Sequence, residues 1–231
     1  MTAPGAHMAT TPVSRFRGII FDLDGTLYVL RWFMPLLIFF RLFPGGMRLP
    51  RFLSIRQKFA GRDMGTHERL LAAIGDELAR RENMSPEQAR KWIIDTFYPA
   101  FVAIMPFFRF SRPFIRRLLA GLRAKGIKLA VLSDYGCVTE RLEKLRLQAS
   151  LFDTVSSCED AGALKPHPRP LLSIAEKWGI EPGHILVLGD RADTDGAAAK
   201  NAGMQFVLVA DTLRLPHGAL RWGTISRMLL S

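Results

Sequence analysis

Two acids stand two residues apart near the start of the chain, in Phe21-Asp22-Leu23-Asp24-Gly25-Thr26. Carboxylates so placed repel each other unless a cation or a proton lies between them, so the pair offers cation binding or the holding of a proton. The apolar run Gly18-Ile19-Ile20-Phe21 before them reads as a buried strand. On a continuing strand Asp22 and Asp24 would point the same way. Gly25 allows a sharp turn, and Thr26 can hydrogen-bond locally. In an open parallel sheet, ligands bind just outside the carboxyl ends of the strands. The competing reading of this hexapeptide is a polar turn after a core strand.

Three further stretches carry usable chemistry. Lys128 to Leu132 is a strand that ends in the hydroxyl of Ser133, with Asp134 next. Gly162-Ala163-Leu164-Lys165-Pro166-His167-Pro168 holds a lysine in a loop stiffened by prolines. A lysine beside Asp22 would screen the negative charge gathered there. His167 has no histidine partner at metal spacing and reads as loop or rim. Ile185 to Leu188 is a buried strand followed by Gly189, Asp190, Asp193 and Asp195. The last two acids also suit a helix N-terminus, which is their simpler reading.

Taken together and in this order, the four stretches resemble the four motifs of the haloacid dehalogenase-like hydrolase superfamily, in its phosphatase branch. The resemblance runs from about Arg17 to Val209 outside one insertion. It implies a Mg²⁺-dependent phosphomonoester hydrolase working through an aspartyl phosphate. Asp22 is then the nucleophile and Asp24 the general acid/base. Ser133 and Lys165 bind phosphoryl oxygens. The metal is held by Asp22, the backbone carbonyl of Asp24 and Asp190, with Asp195 in a second shell or acting through water. An acid at position 24 goes with phosphatases and phosphomutases in the family, so a phosphomutase is the alternative. Family members often have Asn where Asp134 stands, and that departure leaves Asp134 and Asp193 without an assigned role.

The elements that must position these groups are strands alternating with helices from Ser111 onward, which imply a parallel sheet with helices on both faces. The expected helices are Ser111–Lys125, Val138–Leu147, Pro170–Trp178, Asp195–Ala202 and Thr224–Leu230. The later strands are Ile127–Leu132, Phe152–Ser156, His184–Leu188 and Gln205–Val209. Between Leu30 and Pro106 the pattern is helical throughout: Arg51–Ala60, then a helix from Thr66 to Arg81, then one opened by Ser85-Pro86-Glu87-Gln88 and running to about Phe97. The fold class is therefore α/β, a Rossmann-like parallel sheet with an all-helical cap insertion, like that of phosphoglycolate phosphatase-like members. The division is a flexible tail over 1–16, a core over 17–29 and 107–231, and a cap over 30–106.

Composition bounds the rest. The chain has 231 residues, 48% of them apolar, enough for a real core. Two cysteines, Cys137 and Cys158, do not make a disulfide framework, and Met1 to Ser14 has no apolar core of a secretory signal. A cytoplasmic protein is the expectation. The net charge of +11 is local: Leu27–Arg62 and Thr96–Ser133 each hold seven basic residues and no acid. Such windows call for an anionic substrate, an acidic lipid surface or nucleic acid. A small phosphomonoester fits the first, and the run Trp32 to Phe40 with its arginines makes an anionic membrane surface a second candidate, with the protein peripheral to the bilayer. Nucleic acid is disfavoured, since no binding module is recognised. The same run suggests a substrate with an apolar portion.

Overall fold

The computed structural model describes residues 15–43, 45–109, 112, 114–210 and 215–230. The expected start of the helix at Ser111, and most of the amino-terminal tail, lie outside these residues. Phe16, assigned to the tail by sequence, is buried in the core.

Six strands form one parallel sheet: β1 (Gly18–Asp22), β2 (Lys128–Ser133), β3 (Thr154–Ser157), β4 (Ile185–Gly189), β5 (Gln205–Val209) and β6 (Ala219–Leu220), in the order β3-β2-β1-β4-β5-β6. β1 and β4 are buried along their whole length, as a sheet covered on both faces requires. The chain builds outward from β1 through β2 to β3, then returns to place β4 on the other side of β1. That reversal opens a crevice at the carboxyl ends of β1 and β4. Register brings the chemistry to one level: Asp22 pairs with Leu132, one residue before Ser133, and Phe21 pairs with Leu188, one residue before Gly189.

Helices α6 (Ile115–Ala124), α7 (Val138–Lys144), α8 (Arg169–Trp178), α9 (Ala197–Asn201) and α10 (Trp222–Leu230) alternate with the strands along the chain. In α6, Ile115, Leu118, Leu119 and Leu122 form the buried stripe. α8 ends at Gly179 in the left-handed region, φ 61°. The sixth strand was not anticipated; it is two residues long and gives no periodic signal.

Between β1 and β2 lie α1 (Met34–Arg41), α2 (Arg48–Phe59), α3 (His67–Glu82), α4 (Pro86–Trp92) and α5 (Tyr98–Ile104). Thr66 caps α3 by accepting from the Arg69 amide, and Ser85 and Gln88 form both halves of a capping box on α4. The helix expected to stop near Phe97 instead passes through a widened turn at Ile93–Phe97 into α5. Proline at position 99 stands just past the widened turn, at the start of α5. The insertion is strapped to the sheet domain by main chain. The Met64 amide donates to Gly162 O at 2.9 Å and the Gly61 amide to Leu164 O at 3.2 Å. Gly162 sits at φ +70°, and a Cβ there would lie 2.5 Å from the Thr66 nitrogen, so only glycine permits this approach.

Candidate active site

β1 stops at Asp22, and Leu23–Leu27 turn away from the strand direction, with Gly25 at φ +86°. The two acids therefore do not share a strand face, contrary to the simple extrapolation of the strand. They serve different neighbours. Asp22 Oδ1 accepts from Lys165 Nζ at 2.8 Å, and its Oδ2 is buried with no hydrogen-bond partner. Asp24 is gripped from the β2 side: Ser133 Oγ donates to it at 2.7 Å, and Tyr28 OH and an Arg141 Nη2 hydrogen bond both reach its other oxygen.

Lys165 is completely enclosed by acceptors. Besides Asp22 it donates to Asp195 Oδ1 at 2.7 Å and to Leu132 O at 3.2 Å, and its own amide donates to Asp134 Oδ1 at 3.0 Å. Asp134 thus anchors the lysine loop to the end of β2, a place for the residue that sequence alone left unassigned. Asp195 has both oxygens in use, the second taking the Arg191 amide at 3.2 Å. Asp193 points elsewhere and pairs with Arg191 on the surface.

Asp190 approaches from β4. A Cβ on Gly25 would lie 2.0 Å from its Oδ2, so the glycine makes room for this acid as well as for the turn. Asp22, Asp190 and Asp195 each present a carboxylate oxygen within 4.8 Å of the others. An all-oxygen set of this kind suits Mg²⁺, which keeps several waters and needs few protein ligands. The orphaned Asp22 Oδ2 fits a cation better than it fits a buried void.

The charges explain the titration behaviour. Four carboxylates (Asp22, Asp24, Asp190, Asp195) face two cations, Lys165 and Arg141. Burial pushes the Asp22 carboxyl well above its ordinary range; Lys165 opposes this, while Asp195, Asp24 and Asp190 add to it. Burial and the neighbouring Asp195 and Asp24 raise Asp190 to about 6. Burial alone would favour neutral Lys165, but Asp195 and Asp22 outweigh it and keep the ammonium charged. Burial would also raise Asp24, yet the charge and hydrogen bonds of Arg141 prevail and hold it below the usual carboxylate range.

Over these groups opens a cavity of about 500 Å³ between the sheet ends and the helical insertion. Its floor includes Asp22, Asp24, Asp190 and Asp195. Its upper wall is mostly apolar, with Trp32, Met34, Ile38, Leu53, Phe97 and Phe101 beside Arg31.

All the site residues expected from sequence thus converge. Two were missed. Arg141 and Tyr28 complete the grip on Asp24, and Arg141 is fully buried with its guanidinium 4.2 Å from the Phe101 ring centroid. Arg141 had a legible signal: it falls at i+3 of Val138 on the stripe Val138, Leu142, Leu145, where a charge has no place unless it is paired.

The model of the haloacid dehalogenase-like hydrolase family matches residues 16–203. A phosphoglycolate phosphatase from Shigella dysenteriae is 31% identical over 206 residues, 81% of this chain and 78% of the relative. One from Aquifex aeolicus is 28% identical, covering 83% of this chain and 84% of its own. The crystal structure of β-phosphoglucomutase from Clostridium difficile superposes with a TM-score of 0.61 at 17% identity, over 93% of this chain and 97% of that one, a likeness of fold. The chain belongs to the haloacid dehalogenase-like hydrolase family. It is an enzyme of that family's phosphatase kind. No helix among the described residues is long and apolar enough to cross a membrane.

Proposed function

We propose that this chain is a Mg²⁺-dependent phosphomonoester hydrolase whose nucleophile is Asp22 and whose preferred substrates carry an apolar organic group. The observation that carries the reading is the position of the Asp22 carboxylate, charge-paired to Lys165 at the floor of a cavity whose opposite wall is apolar. Asp22, Asp190 and the Asp24 carbonyl would hold the metal, with Asp195 behind them, and the ion would neutralise charge on phosphoryl oxygens. Asp22 attacks phosphorus in line and becomes an aspartyl phosphate. Lys165 and Ser133 would bind phosphoryl oxygens. Asp24 gives a proton to the leaving oxygen and later takes one from the attacking water. The grip of Arg141, Tyr28 and Ser133 stabilises the Asp24 anion, the form that accepts the proton. A phosphoryl group entering beside Ser133 competes for the same donors, which favours the protonated form needed in the first step. Residues 30–106 act as a cap that closes over the reacting groups and shapes the leaving-group pocket.

The relatives named for phosphoglycolate make that compound the natural comparison. Its organic part is a carboxylate, whereas the cavity wall facing the acids offers rings and aliphatic chains. Of the two arginines lining the cavity, Arg191 is already paired with Asp193. A second phosphoryl group, as a mutase must hold, would find only Arg31 beside an otherwise apolar wall, so hydrolysis is favoured over phosphoryl migration. An apolar substituent buried there gains about 25 cal/mol per Å². The deciding measurement is kcat/KM over linear alkyl phosphates of increasing length with phosphoglycolate alongside, Mg²⁺ present, below micelle concentrations, with Asp22→Asn as the blank. A rise of about tenfold over a few carbons is expected. A flat series, or phosphoglycolate as the best substrate, overturns the substrate class; turnover by Asp22→Asn overturns the mechanism.

A further inference from the structure

A helix on a protein surface normally turns one apolar stripe inward and a polar face outward. Helix α1 and the residues flanking it break that rule. Met34, Ile38 and Leu42 point into the core at intervals of four. The outward face is apolar as well: Leu36 is 47% exposed and Phe40 64%, four residues apart on one side of the helix, while Phe43, 75% exposed, follows its end and Trp32, 87% exposed although it also edges the cavity, precedes its start. Met47, in the short turn Gly45–Met47 that precedes α2, is 69% exposed. Contiguous apolar exposure of this kind marks an interaction surface.

The charges around the stripe choose the occupant. Arg31 and Arg41 stand exposed at the two ends of α1, and no acid occurs between Leu27 and Arg62. Arg48 and Arg51 share the single carboxylate of Glu82, which leaves a positive surplus at the next turn. A second copy of the chain, packed face to face through this stripe, would bring the same arginines toward each other. An anionic bilayer meets both demands at once, taking rings and aliphatic side chains among its acyl chains and arginines among its headgroups. At eight residues α1 is about 12 Å long, too short to span a bilayer and suited to lying in its surface.

We infer that the outward face of α1, with the exposed rings of Trp32 and Phe43 beyond its two ends, docks on an anionic lipid bilayer. The inward side of the same helix forms the cavity wall through Met34, Pro35 and Ile38. A docked molecule therefore holds its cavity wall one helix thickness from the acyl chains.

The test uses the full chain and vesicle co-sedimentation, which reads no turnover and so stands or falls apart from the proposed reaction. Phosphatidylcholine vesicles are compared with phosphatidylcholine–phosphatidylglycerol vesicles, at low and high salt. Wild type is expected to bind the anionic vesicles at least about tenfold better than the neutral ones, and salt should reduce the difference. The variant Leu36→Ser/Phe40→Ser/Phe43→Ser, changed only at exposed positions, should lose about tenfold or more of that binding. Arg31→Gln/Arg41→Gln should weaken binding to anionic vesicles and leave binding to neutral ones alone, and it keeps the test independent of how the serine variant folds. Absence of binding to anionic vesicles, equal binding to both kinds, or wild-type binding by both variants overturns the inference. So does a stable dimer in sedimentation velocity that the serine variant dissociates.

Discussion

Arg141 shows how one side chain off the motifs can govern the chemistry on them. It donates to Asp24 and, at 2.9 Å, to Ser133 Oγ, so it fixes the proposed acid/base group and the proposed phosphoryl-binding hydroxyl relative to each other. Replacing it by methionine leaves Asp24 buried with only hydroxyl donors. A reduction in kcat of about ten- to a hundredfold is expected, with the acid limb of the kcat profile moving to higher pH as the Asp24 anion loses its main support. A profile that keeps its shape while kcat falls would reduce Arg141 to a packing residue. Asp190 offers the opposite case, an acid whose folded value is raised, from 3.8 to about 6. Between those values the folded chain holds more proton than the unfolded one, so metal-free stability falls as pH rises through that window. Asp190→Asn removes the cost. Without metal at pH 7 it should be more stable than wild type by about 1–3 kcal/mol, with the gap closing near pH 4. Thermal melts in chelator across that range check this; a variant less stable at pH 7 would contradict the charge crowding described here.

At the scale of elements, the joint between the helical insertion and the sheet is a buried ion pair. Arg56 of α2 pairs with Glu159 beyond β3, donates to Asp134 O at 2.6 Å and lies 4.1 Å from the Tyr135 ring centroid. Tyr98 of α5 donates to Glu159 at 2.5 Å. Arg56→Met strands the Glu159 charge with one neutral donor, and a loss of about 3–5 kcal/mol is expected, on the order of 10 °C in Tm for a domain of this size. A calorimetric shift of only one or two degrees would show that the joint is not a major tie. Neither partner was legible in the sequence, because a long-range pair between residues 56 and 159 leaves no periodic trace. What was legible follows the same logic. The apolar runs at 18–21, 129–132 and 185–188 declare buried strands, and the acids and hydroxyl at their ends declare the site, because strand ends in a parallel sheet meet at one edge. The capping box at Ser85–Gln88 is local chemistry and is read locally. The extension of the insertion's last helix into α5 was missed because the change from Trp92 to Tyr98 is a widening of the turn, which side-chain periodicity does not mark. The outward exposure of the α1 rings was equally hidden, since an all-apolar helix does not say which side faces the core.

For the whole molecule, the arrangement of charge is the feature to explain. The chain carries +11, yet the reacting groups are acids in excess over their cations. An approaching phosphate dianion is repelled at short range by the carboxylates it must meet. The basic windows before α3 and around α6 would act at longer range, where a summed positive field attracts anions and raises the encounter rate. Arg31 belongs to both settings, exposed at the surface and lining the cavity. Salt screens the long-range field within about 10 Å at 0.1 M, while the enclosed contacts of Lys165 and Arg141 are shielded from it. The two regimes separate kinetically. With an anionic substrate, kcat/KM should fall about three- to tenfold as ionic strength rises into the high-salt range, while kcat stays nearly constant. Arg31→Gln should flatten the slope of kcat/KM without changing its value at high salt. Steady-state kinetics at fixed pH with a single soluble phosphomonoester measures both. If kcat/KM is insensitive to salt in the wild type, the basic windows do not serve substrate capture, and their charge is then left to the surface that α1 presents.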